Sequence, residues 1–178
     1  DFLATVELLK TLSLPDVQRD DMEFLSLRHP DEYALYRATE IVSSRGESVP
    51  GPDYKQIFEE FVVPHSHAKH ARTKRGSYMV GALARFNNNH TQIRPEAREV
   101  ATALGLEPVC MNSFMNSIAQ VVECVHCTLE AIDALDRLLD MDLVLEDPAI
   151  EPKAARGVGI ADVPRGQLIH DYTFDSGL

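Results

Sequence analysis

Three clusters in this chain carry residue types whose spacing can do chemistry. Cys124-Val125-His126-Cys127 sets two thiols in a C-x-x-C, the spacing of zinc and iron–sulfur knuckles. A second pair would make it a metal motif, but Cys110 is the only other cysteine. Knuckles lie on turns, whereas this segment sits inside a helical pattern. The expectation is two buried structural thiols on one helix face, with a metal or redox role as the alternative. His65, His67 and His70 form H-x-H-x-x-H, and imidazoles so spaced can share a divalent ion. They alternate with Lys69, Arg72, Lys74 and Arg75, whose charge opposes a cation. A solvated or partner-facing basic loop is expected there. The third cluster is Pro164-Arg165-Gly166. Proline fixes its own φ and extends the residues before it, and glycine permits an unusual angle or a close approach. An arginine held between them can offer a planar donor fork to an anion or a small polar ligand. Alone, the tripeptide reads as a surface hairpin with an incidental arginine. No G-x-S-x-G, phosphate loop or G-x-G-x-x-G is present. Gly157-x-Gly159 leads into no helix, and the carboxylates are scattered rather than paired for acid–base work.

The elements that must position these residues follow from pattern. Residues 1–12 read as a short amphipathic helix ending before Pro15. Residues 23–29 read as a strand, and Ile41-Val42-Ser43-Ser44 as a strand running into a turn at Gly46. Asp53 is a plausible helix cap before "YKQIFEEFVV", which Pro64 ends. The segment "YMVGALARFNNNH" reads as a short apolar helix closed by three asparagines. Pro95 starts the next helix and Gly105 stops it. The strongest periodicity spans 113–140, where Phe114, Ile118, Val122, Val125, Leu129, Ile132, Leu135 and Leu139 recur at helical spacing. Asn112 or Ser113 is its candidate cap. Cys124, Cys127, Ala131 and Ala134 form a second, small-residue face suited to close helix packing. A loop holding Pro148 and Pro152 follows. Beyond Gly166, Leu168, His170, Tyr172 and Phe174 share one strand face, and Ile169, Asp171 and Thr173 the other. The fold class expected is mainly α with minor β (α+β): a helical core around one long central helix, with short strands and hairpins.

Bulk properties bound the function. The 178 residues suffice for one domain with a core. No run of 18 apolar residues occurs, so no membrane span is expected. Three cysteines and no basic, apolar leader point to a reducing compartment. The formal net charge is −11, which disfavours non-specific nucleic-acid binding. Yet no Asp or Glu falls between Glu60 and Glu96, where Lys69, Arg72, Lys74, Arg75, Arg85 and Arg94 lie. The chain opens on Asp1-Phe2-Leu3, already helical in pattern, and stops at Gly177-Leu178. Both ends read as cut, and the expectation is a single internal portion, 1–178, of a larger domain.

Several segments together resemble the large, catalytic subunit of nickel–iron hydrogenases. They are "YMVGALARFN" (78–87), "PEAREVA" (95–101) and "ARGVGIADVPRGQLIHDY" (155–172), the last matching the family's Arg-Gly-x-Leu-x-His element with its preceding proline. "LRHPDEYALYRATEIVSSRG" (27–46) and "VVPHSHAKHA" (62–71) look most like the cytoplasmic, cofactor-coupled branch. The resemblance implies reversible oxidation of hydrogen to protons and electrons. It also implies partners: an iron–sulfur small subunit, together with subunits that reduce a soluble electron carrier. In that family four cysteines, in two C-x-x-C motifs near opposite ends of the chain, hold nickel, and two of them bridge to an iron carrying cyanide and carbon monoxide. Neither terminal motif is here, and Cys124-x-x-Cys127 lacks their flanking residues. No metal ligand and no bound Ni-Fe(CN)2(CO) centre are therefore expected in this portion alone. Carried over, Pro164 and Arg165 would lie near the iron's cyanides, with Arg165 at the site where hydrogen binds. His170 would support structure or a proton path, and "VGALAR" would be a buried helix rather than a site. The basic loop would face an electron-transfer partner. The rival reading from another class is a metal-free helical scaffold related to subunits of quinone-linked respiratory complexes. A small metal-binding module built on Cys124, Cys127 and the histidines is a third.

Overall fold

Phe24, Leu25 and Leu27 leave no polar alternation in their segment, the mark of a strand buried on both faces. The computed structural model describes residues 2–147, 149 and 153–175. Its elements in chain order are α1 (Phe2–Lys10), β1 (Glu23–Arg28), β2 (Glu40–Ser43), β3 (Ser48–Pro50), β4 (Phe58–Phe61), β5 (His70–Thr73), β6 (Tyr78–Met79), α2 (Ala82–Asn89), α3 (Pro95–Ala103), α4 (Asn116–Leu139), β7 (Ala155–Val163) and β8 (Gly166–Phe174). Among the described residues four α-helices, one of 24 residues, and short strands in small sheets make an α+β mix. Asp1, Pro148, Pro152, Ser176, Gly177 and Leu178 lie outside the described residues.

β1 is the central plane. It pairs antiparallel with β2, parallel with β6, and β2 pairs with β3. Phe24 faces a cluster built by α2, α3 and α4, including Leu83, Phe86, Ala97, Ala101, Ile118 and Val122. Leu25 and Leu27 face Ile41 and Ile57, against which Ile160 and Ile169 of the β7–β8 hairpin pack. β1 therefore separates a helical layer from a hairpin layer. The three asparagines closing α2 tie it to its surroundings. Asn88 and Asn89 donate to Ser26 Oγ and to the carbonyls of Phe24 and Leu27, and Asn87 exchanges two hydrogen bonds with the Cys110 backbone. Pro95 opens α3, Gly105 follows it at φ 71°, and the Asn112 side chain accepts from the Phe114 N–H ahead of α4.

Three expectations fail. The segment after Asp53 is a short 3-10 turn followed by β4, not an α-helix. The Phe58 ring lies 5.8 Å from Tyr54 and 6.1 Å from Tyr78, and antiparallel pairing with β5 gives its glutamates partners across the ladder. The basic stretch is correspondingly not an open loop. Lys69 pairs with Glu60, Arg72 with Glu59, and Arg75 with Glu23 and Glu47, so most of its charge is met locally. Finally, Cys124 and Cys127 are exposed rather than buried. Ile118, Val122 and Val125 set the buried face of α4, and that roll carries Glu123 and His126 inward instead. Past Leu129 the apolar stripe runs on the surface at Ile132, Leu135 and Leu139.

Candidate functional site

β7 and β8 pair along their whole length, from Ala155 against Phe174 to Val163 against Gly166. Pro164 and Arg165 are therefore the two loop residues of a tight hairpin. The alternation read from the sequence holds: Ile169 packs inward, while Leu168, His170, Tyr172 and Phe174 are exposed. His170 Nδ1 and the Tyr172 hydroxyl lie 2.7 Å apart on that outer face. At the hairpin's open end Arg156 grips Asp171 at 2.7 and 3.0 Å, and Tyr54 donates to the same carboxylate. The Arg156 guanidinium holds the Asp171 carboxyl down at about 2, against the opposing effect of partial burial.

The loop end is seated on the start of α2. Gly166 has φ 143°, and a Cβ there would stand 2.6 Å from Val80 Cγ2. Gly81, at φ 89°, lies under the Pro164–Arg165 peptide, where a Cβ would meet Pro164 O at 3.5 Å. Gly166 is thus required by backbone angle and by close approach, Gly81 by its backbone angle.

Beneath the loop lies a buried charged cluster around Arg85, a residue the sequence places in an apolar helix and in the acid-free basic stretch. Arg85, fully buried in α2, donates from Nε and Nη2 to the two oxygens of Glu123 at 2.7 and 2.6 Å. Its Nη1 donates to Asp162 Oδ1 at 2.6 Å and to the Val163 carbonyl at 2.8 Å. Its Nη2 also reaches the Pro164 carbonyl at 3.1 Å. The carboxylates are held in turn. Tyr33 donates to Glu123 at 2.7 Å, and the Leu27 N–H donates to Asp162 at 2.9 Å. Burial alone would lower the Arg85 pKa, but Glu123 and Asp162 drive it well above its ordinary value. Burial and then Glu123 raise the Tyr33 hydroxyl. Burial raises Asp162, against the pull of Arg85. A lone arginine in "ALARF", with no acid between Glu60 and Glu96 to pair it locally, was the available signal that it needed distant carboxylates.

Arg165 is different. It is exposed and makes no hydrogen bond or ion pair among the described residues. It lines a cavity of about 330 Å3 with Phe58, Glu60, Tyr78, Val80, Val163 and Gln167. The Gln167 Nε2 is buried without a partner. A guanidinium with no partner among the described residues, beside Phe58, Val80 and Val163, suits an anionic or electron-rich ligand, with the Glu60 carboxylate in the same lining. Cys127 and His126 line a separate cavity of about 570 Å3 with Tyr33, Glu130 and Arg137. Partial desolvation of the otherwise exposed Cys127 raises its thiol, burial lowers His126, and His126 Nδ1 accepts from the Arg94 N–H. Among the described residues no three His, Cys, Asp or Glu side chains are arranged to hold a metal ion. His65 and His70 approach only as ring neighbours, 5.4 Å apart. No helix among the described residues is long and apolar enough to cross a membrane.

Similarity to known proteins falls on one group. The chain is 35% identical over 147 residues to the alpha chain of sulfhydrogenase 1 from Pyrococcus furiosus, covering 83% of this chain and 34% of that protein. It is 34% identical over 138 residues to the corresponding chain of the F420-non-reducing hydrogenase vhu from Methanococcus voltae, covering 71% and 32%. It shares its fold with a [NiFeSe] hydrogenase variant from Desulfovibrio vulgaris Hildenborough, at TM-score 0.52 and 17% identity, over 88% of this chain and 40% of that one. The chain spans about a third of the length of the curated relatives it matches. No family model matches it.

Proposed function

We propose, from the premise that this chain is homologous to hydrogenase large subunits along about a third of their length, that it is an internal portion of a hydrogenase catalytic subunit, carrying the Pro164-Arg165 wall of its active site. The observation that carries this reading is the contrast at the hairpin end: Arg165 has no partner among the described residues, yet the backbone that bears it is fixed by Arg85, Val80 and Gly81. A cation with no partner among the described residues, at the lip of a cavity lined by Phe58, Val80, Val163 and Glu60, is arranged for something that arrives.

The group implied is a Ni-Fe centre with cyanide and carbon monoxide on iron. The donors here fit its electron-rich side. Arg165 suits cyanide nitrogen, while Cys124 and Cys127 line the other cavity or the surface and supply no thiolate to this one. When bound, such a centre supplies the heterolytic splitting of hydrogen. This chain's part is electrostatic. Arg165 places a permanent positive charge where negative charge develops, and Val80, Val163 and Phe58 line the same cavity. Pro164, its carbonyl turned down onto Arg85, keeps that acceptor away from the anionic side. The parent protein is read as a cytoplasmic complex whose partners are an iron–sulfur small subunit, together with subunits that reduce a soluble carrier.

The test is Arg165→Lys in the full-length catalytic chain, assembled with its partners. Turnover is expected to fall about 100-fold, the usual cost of one preorganised donor, with nickel content unchanged. Near-wild-type turnover overturns the role of Arg165. A wild-type complex without nickel or hydrogen turnover overturns the enzyme and favours the metal-free scaffold.

A further inference from the structure

Stability alone does not explain Arg85. A buried ion cluster is commonly matched or bettered in stability by apolar residues of the same volume, and α2 is otherwise apolar at Ala82, Leu83, Ala84 and Phe86. A guanidinium adds directed bonds, and two of the bonds from Arg85 land on the carbonyls of Val163 and Pro164, the last two before Arg165. The Pro164 carbonyl and the Arg165 nitrogen belong to one rigid peptide plane. Fixing the oxygen orients that plane, and with it the direction in which the Arg165 side chain leaves the backbone. The clamp is itself aligned. Both Glu123 oxygens take the Arg85 fork while Tyr33 holds one of them, and Asp162 is fixed by the Leu27 N–H and donates its own N–H to the Leu35 carbonyl. Three layers converge on one peptide bond: α2 and α4, the central strand β1, and the hairpin.

We infer that Arg85 is the positioning residue for Arg165: it sets the Pro164–Arg165 peptide plane, and so holds the Arg165 guanidinium in working position. This rests on the proposed role of Arg165, and its test separates the two. In the assembled complex with the full-length catalytic chain, Arg85→Lys keeps a charge between Glu123 and Asp162 but loses the fork to the two carbonyls. Its expected signature is a fall in kcat of about tenfold or more with KM little changed, retained nickel, and shifted cyanide stretching bands in the infrared. The double variant Arg85→Lys/Arg165→Lys is expected to be no slower than Arg165→Lys alone, within about twofold, because both changes remove one function. Wild-type kcat with unshifted bands, or a double variant slowed by the product of the single effects, overturns the inference. Should Arg85→Lys not assemble, Asp162→Asn is measured against the same outcomes. Hydrogen exchange reads the clamp without any metal. The amides of Val163, Arg165, Gly166 and Gln167 are expected to exchange about tenfold or more faster in Arg85→Lys, with the rest of the chain unchanged. Unchanged exchange sinks the clamp. Accelerated exchange in Arg85→Lys, together with a wild-type complex that lacks nickel, leaves the clamp standing and sinks the enzymatic reading instead.

Discussion

Arg85 and Arg72 make the same bond in two different media. Each donates from Nε to a glutamate at close range, 2.7 Å for Arg85 to Glu123 and 2.6 Å for Arg72 to Glu59. The side chains of Arg72 and Glu59 are 55% and 61% exposed, those of Arg85 and Glu123 0% and 9%. In the β4–β5 hairpin water competes for both ions, and the pair decorates a ladder held by its backbone. Beneath the β7–β8 loop there is no water to replace a lost partner, so the same chemistry becomes a constraint on geometry.

The contrast breaks most sharply at Arg85→Met. Two buried carboxylates would be left without their cation, and the folded protein should lose about 3–5 kcal/mol in denaturant titration. A loss under about 1 kcal/mol would make the two pairs equivalent. Next comes Gly166→Ala, which combines a forbidden φ with a clash against Val80. It should cost about 2–3 kcal/mol, part of it recovered by Val80→Ala in the same chain. If Val80→Ala recovers nothing, the loop is not seated as described. Arg72→Ala is expected to cost at most about 1 kcal/mol, and a larger loss in thermal melts would mean the exposed ladder depends on its ions after all. The smallest effect is one of pH. Asp171 is lowered from its ordinary 3.8 to about 2 by Arg156. A carboxyl lowered on folding contributes stability fully above its ordinary value and loses it as pH falls toward the folded value. Asp171→Asn should therefore flatten the stability profile between about pH 4 and 2. Asp162, raised by burial, has the opposite sign: its contribution is complete below 3.8 and fades as pH rises through the raised value. An unchanged acid limb in Asp171→Asn would show that Arg156 does not grip the hairpin base in solution.

What could be read in advance divides along the same line. Local signals were sufficient for α3 between Pro95 and Gly105 and for the alternating faces of β8, whereas Asn112 caps the short 3-10 turn Ser113–Met115 ahead of α4 rather than α4 itself. The Arg165 turn was visible as a proline–arginine–glycine, and its meaning came from resemblance. The β4–β5 pairing was hidden because Glu59 and Arg72, 13 residues apart, reveal their match only once the ladder exists. The small residues Cys124 and Cys127 suggested a packed face, but the roll of α4 is set by Ile118, Val122 and Val125, which turn Glu123 toward Arg85. Arg85 itself finds its carboxylates 38 and 77 positions along the chain. No window of sequence contains that cluster.

The hydrogen bond from the Leu27 N–H to Asp162 spans 135 residues, and that separation sets an order of assembly. Closing so long a loop is entropically expensive before neighbouring contacts exist. The hairpin can form early on its own local pairing, but its loop cannot dock until β1, α2 and α4 have already met. Docking is then a late, cooperative step, and Arg165 acquires its final direction only when nearly the whole chain has folded around the carbonyl one residue before it.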